Sequence, residues 1–166
     1  IANRGSGDIS VLHARTGELL MTVPLPQYQG DNFPEPMYVV YTTVGNQVFV
    51  GDRANDRVVS FDADSFSVVG TAPTGSGVWH MWADPDGKQL WVNADIDNVT
   101  TVIDPGSLSV ITTIPTPADL VAMGGHPHDV IVGPFGKLAY VSIVGLGGSS
   151  DYVVQFSTES FKETGR

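Results

Sequence analysis

The chain contains no cysteine, so disulfides and thiolate metal sites are excluded. Basic residues are scarce: eight Lys and Arg stand against 18 Asp and Glu, a formal net charge of −10. Such a surface repels a phosphate backbone and an anionic membrane, which argues against nucleic acid as a partner. No apolar run approaches the roughly 20 residues a membrane-spanning helix requires. No nucleophile elbow, phosphate loop or helical zinc motif appears, and Gly145-Leu146-Gly147-Gly148 lacks the strand-to-helix setting of a phosphate cradle. The chain opens on Ile1 without a signal-peptide pattern, so an upstream segment is expected.

What the chain does contain is turn residues and a repeat. Its 166 residues, room for one domain with a real core, include 19 Gly and 11 Pro, with only 16% charged residues. Val48–Val69 can be laid on Leu90–Ile111 without a gap, matching Phe49 with Trp91, Phe61 with Ile103, Asp62 with Asp104 and Ser65 with Ser107. In a third copy Tyr140 takes the place of Phe49 and Trp91, and Phe156 that of Phe61 and Ile103. A repeat of about 40 residues made of short strands is the pattern of a β-propeller blade. The spacing predicts an all-β propeller of four-stranded antiparallel blades, with a partial blade over residues 1–27 and full blades over 36–75, 78–117 and 127–166. That makes roughly three and a half blades, whereas propellers close with about four to eight. The ring is therefore expected to be incomplete, part of a seven-bladed propeller, its remaining blades supplied by the same protein or a second chain.

The strands Leu90-Trp91-Val92-Asn93 and Ala139-Tyr140-Val141-Ser142, the run Asn98–Asp104 and the turn Pro85–Lys88 resemble the YVTN β-propeller family. Relatives of that family include surface-layer proteins, lactonase-like enzymes and propellers of nitrous oxide reductase type, so the resemblance implies a fold rather than one activity. Family habit, with the cysteine-free, lysine-poor composition, implies an extracytoplasmic location, periplasmic or secreted.

In a propeller the loop entering each first strand and the loop between second and third strands share one rim. This collects Pro24–Glu35, Pro73–Gly77, Pro115–Gly125 and the inserted Val144–Ser150 on one face, where a protein or small-molecule ligand would bind. His80, His126 and His128 fall at the start of inner strands in adjacent blades, and imidazoles without thiolates suit copper. Asp129 is placed to accept a hydrogen bond from one of these rings and fix its tautomer. Equally, a His entering an inner strand serves as a turn and channel-lining residue. His13 aligns with Asp62 and Asp104 and reads as a turn residue. The acidic tips Asp52–Asp56 and Asn93–Asn98 read as hairpin chemistry, since the second lacks the Gly and Glu of a calcium loop. Three functions stay open: a binding scaffold acting through its rim, a copper-binding oxidoreductase with His80, His126 and His128 as ligands, and a lactonase-type hydrolase.

Overall fold

A computed structural model describes residues 1–147 and 151–166, and these form four antiparallel sheets in chain order. The first sheet holds β1 (Ala2–Asn3), β2 (Asp8–Leu12) and β3 (Leu19–Pro24). The second holds β4 (Pro36–Thr42), β5 (Gln47–Asp52), β6 (Arg57–Asp62) and β7 (Val68–Pro73). The third holds β8 (Val78–Ala83), β9 (Leu90–Ala94), β10 (Val99–Ile103) and β11 (Val110–Pro115). The fourth holds β12 (His126–Val132), β13 (Leu138–Val144), β14 (Tyr152–Ser157) and β15 (Glu163–Gly165). Each is a plain meander, and the inner strands β4, β8 and β12 pack side by side. This is the all-β propeller the repeat predicts, with its ring open. The first sheet has three strands and lacks the innermost one.

The core lies between sheets rather than within one. Ile9 and Leu25 meet Val48, Val50, Val59 and Phe61 between the first and second sheets. Phe49, Val58 and Ala72 meet Val78, Met81, Leu90 and Ile103 between the second and third. Trp91, Val102 and Ile114 meet Val130, Val141, Val154 and Phe156 between the third and fourth. Successive strand residues point to opposite faces. That is why β6 is apolar on both: Val58 faces the following sheet while Val59 and Phe61 face the preceding one.

The turn joining the third and fourth strands repeats in all four sheets. Asp62 Oδ1 accepts from the Ser65 amide at 2.8 Å, Asp104 Oδ1 from Gly106 and Ser107 at 2.8 and 2.9 Å, and Ser157 Oγ from Ser160 at 3.2 Å. His13 is the turn residue of the first sheet, its Nδ1 accepting from the Thr16 amide at 3.2 Å. Four residues after each of these the backbone turns left-handed, at Gly17 (φ 72°), Phe66 (54°), Leu108 (57°) and Phe161 (57°). A large side chain there costs about 1–2 kcal/mol. Contact with the preceding sheet offsets that cost. Leu108 reaches Gly70, where an added Cβ would stand 2.7 Å from its Cδ1, and Phe161 lies on Trp91 with ring centroids 6.0 Å apart. Leu108 and Phe161 therefore staple their sheets to the ones before.

Candidate functional site at the rim and channel mouth

Every full sheet carries a one-residue bulge at the same place in its inner strand. The register slips between Pro36 and Val39, between Val78 and Met81, and between Pro127 and Val130. Two inner-strand residues thus oppose one on the second strand: Met37-Tyr38 over Gly51, Trp79-His80 over Asn93, and His128-Asp129 over Ser142. A bulge re-aims side chains and frees backbone groups. Those groups are satisfied locally: Asn93 Nδ2 donates to the His128 carbonyl at 3.2 Å, and the Asp129 amide donates to Ser142 Oγ at 2.9 Å.

The bulges place the sequence-selected residues as follows. His80 is 9% exposed, its ring 4.1 Å from that of Tyr38, and its Nδ1 accepts from the Val130 amide at 3.2 Å. That bond fixes the tautomer, so the neutral ring carries its proton on Nε2. Burial pushes the His80 pKa below its ordinary 6.5; the Asp129 carboxylate opposes this and His128 adds to it. His128 is half-exposed, with Nδ1 3.3 Å from Asp129 Oδ1 and its ring 5.2 Å from Trp79. On Trp79 also lies the Arg53 guanidinium, 5.4 Å from the ring centroid. His126 lies apart, at the start of β12, where its ring abuts Gly145: an added Cβ there would stand 2.8 Å from His126 Cε1.

His80, His128 and Asp129 thus share the channel mouth, while His126 sits at the start of β12, opposite Val144. Among the described residues no three His, Cys, Asp or Glu side chains come together to hold a metal ion. His80 already uses Nδ1 on the backbone of the neighbouring sheet, and His126 stands apart from the other two histidines. Asp129 lies beside the imidazole of its own neighbour, His128.

His80 has a pH consequence of its own. Its folded pKa is depressed, so the unfolded chain binds the proton more readily between that lowered value and 6.5. The stability it contributes is present above 6.5, falls away as pH drops below it, and levels off beneath the folded pKa. Thermal melts at stepped pH should show the midpoint falling on acidification through this window. In His80→Phe the slope should shrink; an unaltered slope refutes the assignment to His80.

Around the mouth, two arginines tie the rim loops together. Arg57 pairs with Asp31 at 2.8 Å and Asp52 at 3.0 Å, donates to the Pro26 carbonyl at 2.7 Å, and lies 5.2 Å from the centroid of Tyr28. The Tyr28 amide, with the Arg57 guanidinium, holds the Asp31 carboxyl below its ordinary pKa. Arg53 pairs with Asp95 at 2.8 Å and donates to the carbonyls of Gly77 and Val78 at 2.8 and 3.2 Å. Sequence reasoning read Asp52–Asp56 only as a hairpin tip. The signal it passed over was two arginines in a chain with eight basic residues. The hairpin reading holds beside this: Asp56 (φ 49°) and Asn98 (φ 55°) take left-handed turn conformations at one repeat position.

The long loop Pro115–Gly125 contains α1 (Ala118–Ala122), whose buried Leu120 packs with Ile143 and Leu146. Two of the rim segments thus rest on each other, although 148–150 of Val144–Ser150 lie outside the described residues. Exposed apolar residues stand on three of the rim loops: Tyr28, Phe33, Ile96 and Met123 are 51%, 58%, 62% and 44% exposed. The basic residues of this rim, Arg4, Arg53, Arg57 and Arg166, are each in an ion pair. Asp56 and Asp97 have no basic partner among the described residues; they accept from the amides of Gly77 and Ser76 at 3.2 and 2.8 Å. No helix among the described residues is long and apolar enough to cross a membrane.

No protein-family model and no curated protein matches the chain. Solved structures do. A candidate 6-phosphogluconolactonase of Bacteroides uniformis is similar over 99% of this chain and 52% of its own, with TM-score 0.74 and 21% identity. A second, of Bacteroides fragilis, is similar over the same shares, with TM-score 0.72 and 20% identity. Hydrazine synthase of Kuenenia stuttgartiensis is similar over 84% of this chain and 38% of its own, with TM-score 0.68 and 19% identity. The chain therefore spans about half the length of the lactonase-like structures and less of the third. Likeness at this identity shows the β-propeller fold, and the fold alone.

Proposed function

We propose that this chain is part of a YVTN-type propeller that works outside the cytoplasm as a binding scaffold, with its ring completed by further blades and its ligand held on the loop-rich rim. The observation that carries this reading is the rim's surface chemistry. Tyr28, Phe33, Ile96 and Met123 project from three rim loops, the rim arginines are engaged by carboxylates, and Asp56 and Asp97 have no basic partner among the described residues. Such a face complements a ligand that is apolar and positively charged, a basic amphipathic peptide segment for example. The YVTN-like strands Leu90–Asn93 and Ala139–Ser142 fall on β9 and β13, the second strands of their blades, which supports the family reading.

The test is an array of short peptides of varied charge and hydrophobicity. Binding should concentrate on basic peptides with aromatic residues, weaken with salt, and fall about tenfold in Tyr28→Ser/Phe33→Ser/Ile96→Ser. Equal binding by parent and variant refutes a rim site. Two further outcomes would replace the reading. Hydrolysis of a lactone panel by the parent, lost in His128→Ala, makes the chain a hydrolase, as the descriptions of two structural neighbours would have it. Stoichiometric copper that disappears in His80→Ala/His128→Ala makes it a copper protein.

A further inference from the structure

The fourth sheet leaves open to solvent a face that is buried in the two sheets before it. Repeat positions make the comparison direct. In the second strand, Phe49 and Trp91 are 0% exposed, whereas the equivalent Tyr140 is half-buried. In the third, Val58 and Thr100 are 0% and 3% exposed, whereas Val153 is 54% exposed. Ile131 on β12 borders this face at 47% exposure, close to the 40% of the equivalent Trp82. Two hollows mark the surface, one of about 160 Å³ bordered by Ile131, Tyr140, Ser142 and Val153, the other of about 200 Å³ bordered by Phe135, Leu138 and Tyr140.

What covers the equivalent faces is known from the same molecule. On the second sheet, Leu108 of the next sheet fits beside Gly70; on the third, Phe161 lies on Trp91. The fourth sheet repeats the receiving half of the second: an aromatic, Tyr140, and a glycine, Gly165, which pairs with Gln155 as Gly70 pairs with Ser60. Monomeric proteins rarely leave such a patch unused.

We infer that the open face of the fourth sheet is the docking surface for a further blade of this same repeat, one that carries a large apolar residue in the left-handed turn position. This rests on the reading that the ring is completed by further blades. A second copy of this chain does not meet the specification. The sheet it would have to offer is its first, and there the left-handed position is Gly17, Ser10 stands where the other sheets have Val59, Thr101 and Val154, and the innermost strand is lacking. The surface therefore selects a blade with a staple and discriminates against the chain's own first sheet.

Because the chain has no cysteine, Val153→Cys installs a single reporting thiol on this face. Its rate of reaction with a thiol reagent is measured in three proteins: the chain itself, the chain extended after Arg166 by a second copy of its residues 118–166, and that extended chain with Phe161→Asp in the added copy. The thiol should react freely in the first, about tenfold more slowly in the second, and freely again in the third. Equal rates in the two extended proteins overturn the inference while leaving the open ring standing. Protection in the unextended chain that grows with concentration names a second copy as occupant and also overturns it. Protection in an unextended monomer sinks the open-ring reading itself. Should the extended chain not fold, Ile131→Lys/Val153→Lys in the parent decides. Its melting midpoint should stay within about 2 °C of the parent's, with binding of an apolar dye at least halved. A fall of about 10 °C would mean that the face is already covered from within the chain, which refutes the docking surface.

Discussion

Asp52→Ala should lower the stability of this chain by about 3 kcal/mol, read as a fall of roughly 6–12 °C in melting midpoint. The Asp52 side chain is 0% exposed and accepts from the Glu35 amide at 3.0 Å, Asn55 Nδ2 at 2.9 Å and Arg57 Nε at 3.1 Å. One carboxylate thus fixes the entry of β4, the second hairpin of its sheet and the arginine that holds the preceding rim loop. Removing it strands Arg57, only 10% exposed, with a charge poorly compensated on one side. Breaking a buried pair costs about 3–5 kcal/mol, and the surviving Asp31 contact sets the value at the lower end. Asp52→Asn keeps an acceptor for the Glu35 amide and should cost less. The double change Asp52→Ala/Arg57→Met should recover part of the loss, because it removes the uncompensated charge. A double variant weaker than the sum of the two single changes would show that the charge was not the cause.

That rim also marks where sequence reasoning ran out. Blade architecture was legible because neighbouring sheets bury apolar residues between them, so such residues recur at one position in every copy and turn residues separate them. Phe49 and Trp91 were readable as packing residues for that reason, and both are fully buried. His13 was readable from its alignment with Asp62. The helix Ala118–Ala122 was not, since five residues are too few to show a helical period. Nor were the ion pairs. Arg57 and Asp31, or Arg53 and Asp95, lie 26 and 42 residues apart, and choosing among 18 acids for each arginine requires the loops already in place. The histidines show a third kind of limit. Alignment gives their repeat position, but the bulge at that position, the Val130 amide on His80 and the seat of His126 against Gly145 are products of the assembled sheets.

Trp91→Ala should be the most damaging single change, at about 4 kcal/mol, or roughly 8–16 °C. The side chain is fully buried between the third and fourth sheets, with Phe161 stapled onto it. Its Nε1 donates to Gln89 Oε1 at 2.9 Å, and Gln89 Nε2 donates onward to the Thr158 carbonyl of the fourth sheet, also at 2.9 Å. The substitution therefore opens a cavity, removes the seat that offsets the left-handed conformation of Phe161, and frees Gln89 from its orientation. Tyr140→Ala, at the identical repeat position, should cost only about 1 kcal/mol, because that ring is only partly buried. The contrast separates residue type from context: the aromatic contributes in proportion to what the next sheet lays over it. Where the fourth sheet is covered by a stapled blade, Tyr140→Ala should become as costly as Trp91→Ala. Equal costs for the two substitutions in this chain alone would mean that stability resides within each sheet, and that the stacking of neighbours contributes little.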